Sequence, residues 1–326
     1  MNFAHHRFAH LAAALLALTL PGLSGQGARA QTARTIKIVV PFAPGGPTDI
    51  MARLMADEIG RAQGPTIIVE NRPGASTVIG TEAVAHAAPD GNMLLIAAPS
   101  FVINPHLKKL NYSPLTSFEP VCNLVSAPTI LLVNAGSPYR TLADLIDAAR
   151  AKRGDVALAT NGSGSSIHIA SEMLKRAANV DVILVPYSGT APVINALIGG
   201  HVTSAFTDYL AAAEQVKAGK LRMLGVASRA RVETLPGVPT FAEAGYQGIE
   251  ADAWFGVVAP AQTPKEKLSQ MADWLTAALR IPEIQAKVTS LGLFAVGVCG
   301  AEFGAFIRKQ YDDYGRVIRD ANIRAD

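Results

Sequence analysis

The sequence predicts an α/β protein of two interwoven domains built on mostly parallel sheets. Short segments rich in Val, Ile and Leu alternate with amphipathic stretches, the pattern of βαβ units. The chain has 326 residues, and 296 remain once the leader described next is removed, which reaches the roughly 250 to 300 at which one core stops growing. No low-complexity linker and no internal repeat divides it into halves, so the two domains are expected to share chain crossings.

The elements follow in order. Residues 1–30 read as a signal peptide: His5, His6 and Arg7 precede an apolar run at 11–20, then Pro21-Gly22 and the small-x-small signature Ala28-Arg29-Ala30, with cleavage expected after Ala30. That run is about half of the roughly 20 residues a membrane-spanning helix needs. The first cysteine is Cys122, so no lipid anchor is expected. The mature chain is therefore expected to be soluble in the periplasm. Loss of Arg7 and Arg29 lowers the formal charge from +3 to +1, and no basic stripe suggests nucleic acid. Strands are predicted at 36–41, 66–70, 93–98, 156–159, 182–186, 202–206 and 221–227. Helices are predicted from Asp49 onward and at 77–88, 167–178, 191–198 and 211–217. The apolar stretches 127–133 and 255–259 are the expected paired crossings. They place lobe 1 at 31–128 plus 256–326 and lobe 2 at 129–255, joined by a two-crossing hinge.

Candidate recognition residues cluster where strands give way to helices, the edge at which open α/β sheets bind ligands. Phe42-Ala43-Pro44-Gly45-Gly46 opens the first helix, where close backbone approach and unpaired helix amides suit an anion. Asp49 is expected to shape that loop and pair with Arg53 rather than touch an anion. Ser76 and Thr77, in the second junction, add hydroxyls, and Arg72 reads as a charge for the ligand or a solvated loop residue. Ser100 follows the 93–98 strand. Thr160, Asn161, Gly164, Ser165, Ser166 and His168 form the third junction, with more hydroxyls than one helix cap requires. The fourth holds Tyr187, Thr190 as a cap, and Thr207 and Asp208 at a strand exit. Tyr187 and Tyr209 suit pocket walls or plain packing, and Asp208 suits a ligand hydroxyl or amine, or holds a loop.

Catalysis finds little support. No G-x-S-x-G elbow surrounds Ser163, and His168 follows Ser165 by only three residues. No H-E-x-x-H, C-x-x-C, P-loop or complete G-x-G-x-x-G occurs, so neither metal nor cofactor is expected. Cys122 and Cys299 read first as two buried small apolar residues, with a bridge left open.

Several motifs in fixed order resemble the Bug receptors, the substrate-binding components of tripartite tricarboxylate transporters. They are Val40-Pro41-Phe42-Ala43-Pro44-Gly45-Gly46 with Asp49 and Arg53, Val69-Glu70-Asn71-Arg72-Pro73-Gly74-Ala75 with Pro89-Asp90-Gly91, and residues 162–168. Val185-Pro186-Tyr187 with Ala191-Pro192 and Leu235-Pro236-Gly237-Val238-Pro239-Thr240 with Glu243-Ala244-Gly245 complete the set. The resemblance spans essentially the whole mature chain. It implies a type II periplasmic binding fold, a Venus flytrap of two mainly parallel sheets. It also implies a small carboxylate held by amides, hydroxyls and water near 42–46, with Ser165, Ser166, His168, Tyr187 and Asp208 facing the same cleft, and delivery to membrane subunits by a monomer. Docking on a sensor kinase without transport is the alternative. Gly74-Ala75-Ser76-Thr77 replaces the usual Gly-Ala-Gly-Gly, and Gly91-Asn92 the usual Gly-Tyr.

Overall fold

The computed structural model describes residues 35–160, 165–187 and 189–324, so the expected leader lies outside the described residues. β1 (Thr35–Val40) leads into α1 (Pro47–Gln63). Pro47 starts this helix without needing a donor, and Gly64 ends it in the left-handed region. Met51, Met55 and Ile59 recur at helical spacing and are buried against Ile36, Ile38 and Val40 of β1. Val39, pointing to the other face as strand geometry demands, joins a second core.

The chain continues through β2 (Thr66–Asn71), α2 (Val78–Ala85), β3 (Met93–Ala97), α3 (Ser100–Leu107), β4 (Phe118–Ala127), β5 (Thr129–Asn134) and α4 (Leu142–Ala151). Next come β6 (Ala157–Thr160), α5 (Ser166–Ala178), β7 (Ile183–Pro186), α6 (Thr190–Ile198), β8 (Ser204–Asp208), α7 (Tyr209–Lys217) and β9 (Leu221–Val226). It closes with β10 (Ala253–Pro260), α8 (Lys265–Leu279), α9 (Pro282–Ser290), β11 (Phe294–Cys299) and α10 (Gly300–Asp320). Two sheets result, one ordered β11-β4-β10-β3-β1-β2 and the other β7-β6-β8-β5-β9.

Both sheets are mixed, with most strands of each running in one direction. The βαβ units pair in parallel (β1 with β2 and β3, β6 with β7 and β8), as the alternation predicts. β5 runs antiparallel to β8 and β9, and β10 antiparallel to β3 and β4. The cause is the crossing. β4 runs in the direction of β1 to β3 and leaves its sheet at their carboxyl edge. After Pro128 alone, β5 enters the second sheet at the carboxyl edge of β8, where Thr129 faces Asp208. A strand entering from that side must oppose the strands already there. The return crossing lies between β9 and β10, and Ala253–Pro260 pairs wholly within the first sheet.

The crossings are stitched together. Ala227 N–H donates to Thr129 O at 2.8 Å, Ala251 N–H to Ala227 O at 2.9 Å, and Thr129 Oγ1 to Ala251 O at 2.8 Å. One buried core runs from Phe101 in α3 through Phe206 and Trp254 to Phe303 and Tyr314 in α10, and Arg176 of α5 pairs with Asp320 of α10.

Cys122 and Cys299 form a disulfide, which corrects their reading as separate buried residues. The antiparallel register of β11 on β4 sets Cys299 opposite Cys122 although 177 residues separate them. Sequence distance carries no information about that register.

Candidate functional site

The first junction is held by Asp49 at the start of α1. Its carboxylate accepts from Gly45 N–H at 2.9 Å, Asn71 Nδ2 at 2.9 Å and Arg53 Nε at 3.1 Å. Asn71 Nδ2 also donates to Phe42 O at 3.2 Å. Burial pushes the Asp49 carboxyl up, but the hydrogen bonds from Arg53, Gly45 and Asn71 outweigh it and hold the group below the usual carboxylate range. Asp49 is 3% exposed and fully engaged, so it shapes the loop, as the sequence suggests. Gly45 sits at φ +85, a conformation that bulkier residues resist. Ala43, Pro44 and Gly45 are exposed, while Phe42 and Gly46 are half-buried, at the open end of α1 where helix amides lack partners within the helix.

The second junction departs from its predicted helix. Ala75, Ser76 and Thr77 take φ of 47, 56 and 79, so α2 begins at Val78 rather than Thr77, and it ends at Ala85 rather than residue 88. Consecutive left-handed residues cannot continue a right-handed helix. Contacts from α3, which sequence reasoning missed, hold this turn. Asn104, 4% exposed, donates from Nδ2 to Ser76 O at 2.6 Å, and Lys108 Nζ reaches Ser76 Oγ at 3.0 Å. Thr77 Oγ1 lies 3.0 Å from Ser100 Oγ. A buried amide on the next helix has no local sequence signature. Arg72 pairs with Glu70 instead of standing free.

On the second sheet, Thr160 ends β6 and Tyr187 N–H donates to its carbonyl at 2.8 Å. Asn161 and Gly164 lie outside the described residues. Ser165 caps α5, its Oγ accepting from His168 N–H at 3.1 Å, with Ser166 the first helical residue. Gly189, not Thr190, is the cap of α6, so Thr190 stands one position further inside than expected. Tyr187 and Tyr209 are partly buried against the second lobe's core. Thr207 is buried, and Asp208 follows it as the first residue before α7, without the side-chain capping bond an aspartate there usually makes. Burial pushes the Asp208 carboxyl up to about 6.

Residues 42–46, Ser76, Thr77 and Ser100 thus stand at the carboxyl ends of β1, β2 and β3. Thr160, Ser165, Ser166, His168, Tyr187, Thr207 and Asp208 stand at those of β6, β7 and β8. The crossing through Pro128 joins one edge directly to the other, and Tyr209 N–H donates to Pro128 O at 2.9 Å. Two surface cavities of about 430 and 590 Å³ lie elsewhere, beside Phe118–Pro120 with α10 and beside Leu221 with Leu235. Among the described residues, no cluster of three or more His, Cys, Asp or Glu side chains suits a metal, and no helix is long and apolar enough to cross a membrane.

Residues 51–323 match the family model described as tripartite tricarboxylate transporter family receptor (TctC). This chain belongs to that receptor family. Protein BugT of Bordetella pertussis is 32% identical over 295 residues, covering 90% of each chain. The fold recurs in solved relatives. Rpa4515 of R. palustris, solved with adipate, is 30% identical, with a TM-score of 0.72 over 90% of this chain and 99% of that one. MatC of Rhodopseudomonas palustris, with bound malate, is 30% identical, with a TM-score of 0.67 over 88% and 99%. The two-lobed α/β architecture is therefore that of the TctC and Bug periplasmic binding proteins.

Proposed function

We propose that this receptor captures a small carboxylate in the periplasm, between the carboxyl edges of its two sheets, and passes it unchanged to the membrane subunits of a tripartite tricarboxylate transporter. The observation that carries this reading is the meeting of two amide- and hydroxyl-rich strand-to-helix edges at a double crossing. Phe42, Ala43, Pro44, Gly45 and Gly46 line one side and offer backbone donors there, apart from Pro44, which has no N–H, and Gly45, whose N–H is taken by Asp49. Ser76, Thr77 and Ser100 add hydroxyls there. Thr160, Asn161, Gly164, Ser165, Ser166, His168, Tyr187, Thr207 and Asp208 complete the site from the other. Neutral donors suit a carboxylate because they replace its hydration without a fixed counter-ion to release. The adipate and malate bound by the two relatives support this ligand class.

In this reading residues 1–30 are a cleaved leader, residues 31–128 with 256–326 form one lobe, and 129–255 form the other. The monomer closes about the stitched crossings. Closure follows only if the ligand prefers the closed form, and that form is what the membrane subunits accept. A thermal-shift screen of small acids tests the ligand class, since a binder at 100 times its Kd stabilises by about 2.7 kcal/mol. Silence across di- and tricarboxylates, or an unchanged scattering radius with saturating ligand, counts against the proposal.

A further inference from the structure

Among the described residues, two carboxyl groups sit at the crossing with no cation paired to either. Asp208 ends β8 opposite Thr129, and among the described residues its carboxylate has neither a hydrogen bond nor an ion pair. Asp252 precedes β10 and accepts from Thr129 N–H at 3.2 Å and Ser228 Oγ at 2.7 Å, so it binds both crossings at once. Thr129 lies against both, opposite Asp208 across the β5–β8 pairing and donating its N–H to Asp252, and the Asp208 charge makes a small contribution to raising the Asp252 carboxyl. Glu250 adds a third negative group from the same segment, though Lys309 of α10 engages it at 2.9 Å and Asp313 at 2.8 Å. Tyr314 of α10 contributes a buried hydroxyl with no hydrogen bond, which burial keeps protonated. His168, in the first turn of α5, and Tyr187 and Tyr209 are further titratable groups at this edge.

Resting on the carboxylate reading above, we propose that capture is proton-linked: the bound anion is accompanied by one proton held by the Asp208–Asp252 pair. An anion brought to the end of β8 meets a largely buried acid that no described residue neutralises. Two negative groups in a poorly solvated place repel strongly, and taking up a proton removes that repulsion. The protonated carboxyl also becomes a donor, as the neighbouring hydroxyls are. Burial already pushes Asp208 to about 6 and Asp252 to about 7, so a modest further push holds the proton at neutral pH.

Adipate and malate are the probes, titrated calorimetrically into the full-length mature receptor from pH 6.5 to 8.5, where both acids are doubly ionised, in two buffers of different ionisation enthalpy. The expected result is uptake that is small at pH 6.5, where the pair already holds a proton, and rises toward one proton by pH 8.5, with a Kd that weakens toward about tenfold per pH unit over the same range. Asp208→Asn, or Asp252→Asn if the first variant fails to fold, abolishes both the uptake and the slope. A pH-independent Kd without proton uptake overturns the proposal. So does a slope that survives in both aspartate variants and vanishes in His168→Gln. Absence of binding by either acid, with binding of other small acids also absent, removes the carboxylate reading itself and this inference with it; binding of other acids alone transfers the same titration to the tightest of them.

Discussion

Replacing Gly80 with alanine tests whether the two junctions of the first sheet are braced against each other. A Cβ built on Gly80 lies 2.7 Å from Arg72 O and 2.9 Å from Pro41 Cβ, two groups that belong to the backbone and ring of the flanking junctions and cannot rotate away. Overpacking of this kind costs about 1 to 3 kcal/mol. The substitution also places alanine inside α2, where it gains about 1 kcal/mol over glycine. The expected balance is a loss of about 1 kcal/mol with separation of the 41–46 and 72–77 segments. Gly60→Ala in α1 is the control: its Cβ has only one neighbour, Pro65 O at 3.4 Å, so the propensity gain dominates and stability rises. Urea denaturation of both variants, read with acid binding by calorimetry, decides the matter. If Gly80→Ala is as stabilising as Gly60→Ala and leaves affinity unchanged, the bracing argument is wrong.

Three further outcomes follow from the same contacts. Asp49→Ala leaves Asn71 Nδ2 and Gly45 N–H without their acceptor, and a loss of about 2 to 3 kcal/mol is expected in denaturant midpoints, with weaker acid binding. Because Asp49 is held below its unfolded range, the stability it adds is full above about pH 4 and disappears as pH falls below that. Asp252 works in the opposite sense: with its carboxyl raised to about 7, its contribution is full below about pH 4 and drains away as pH rises through 7. The melting temperature should therefore decline from pH 5 to 8, and Asp252→Asn should flatten that decline. Replacing both cysteines with alanine opens a loop of 177 residues, for which chain entropy predicts a loss of about 5 kcal/mol, measurable against the oxidised protein.

The alternation of short apolar segments and helical periods made the βαβ units legible, because each element must bury one face and so writes its period into the chain. The Asp49–Arg53 brace was legible for the same local reason, since a four-residue spacing on a helix brings side chains together whatever the rest of the fold does. The glycine- and hydroxyl-rich corners could be read as candidate sites, as their composition exceeds what turns and caps consume. Tertiary structure alone decided that the strands of the two sheets are mixed in direction, that Cys299 faces Cys122, and that Asn104 and Lys108 hold the left-handed turn at Ser76. It also brought Asp208 and Asp252 to the same residue, Thr129. Each of these depends on which distant strand or helix lies alongside, and strand pairing and helix docking are settled by the burial of whole faces rather than by neighbouring residues.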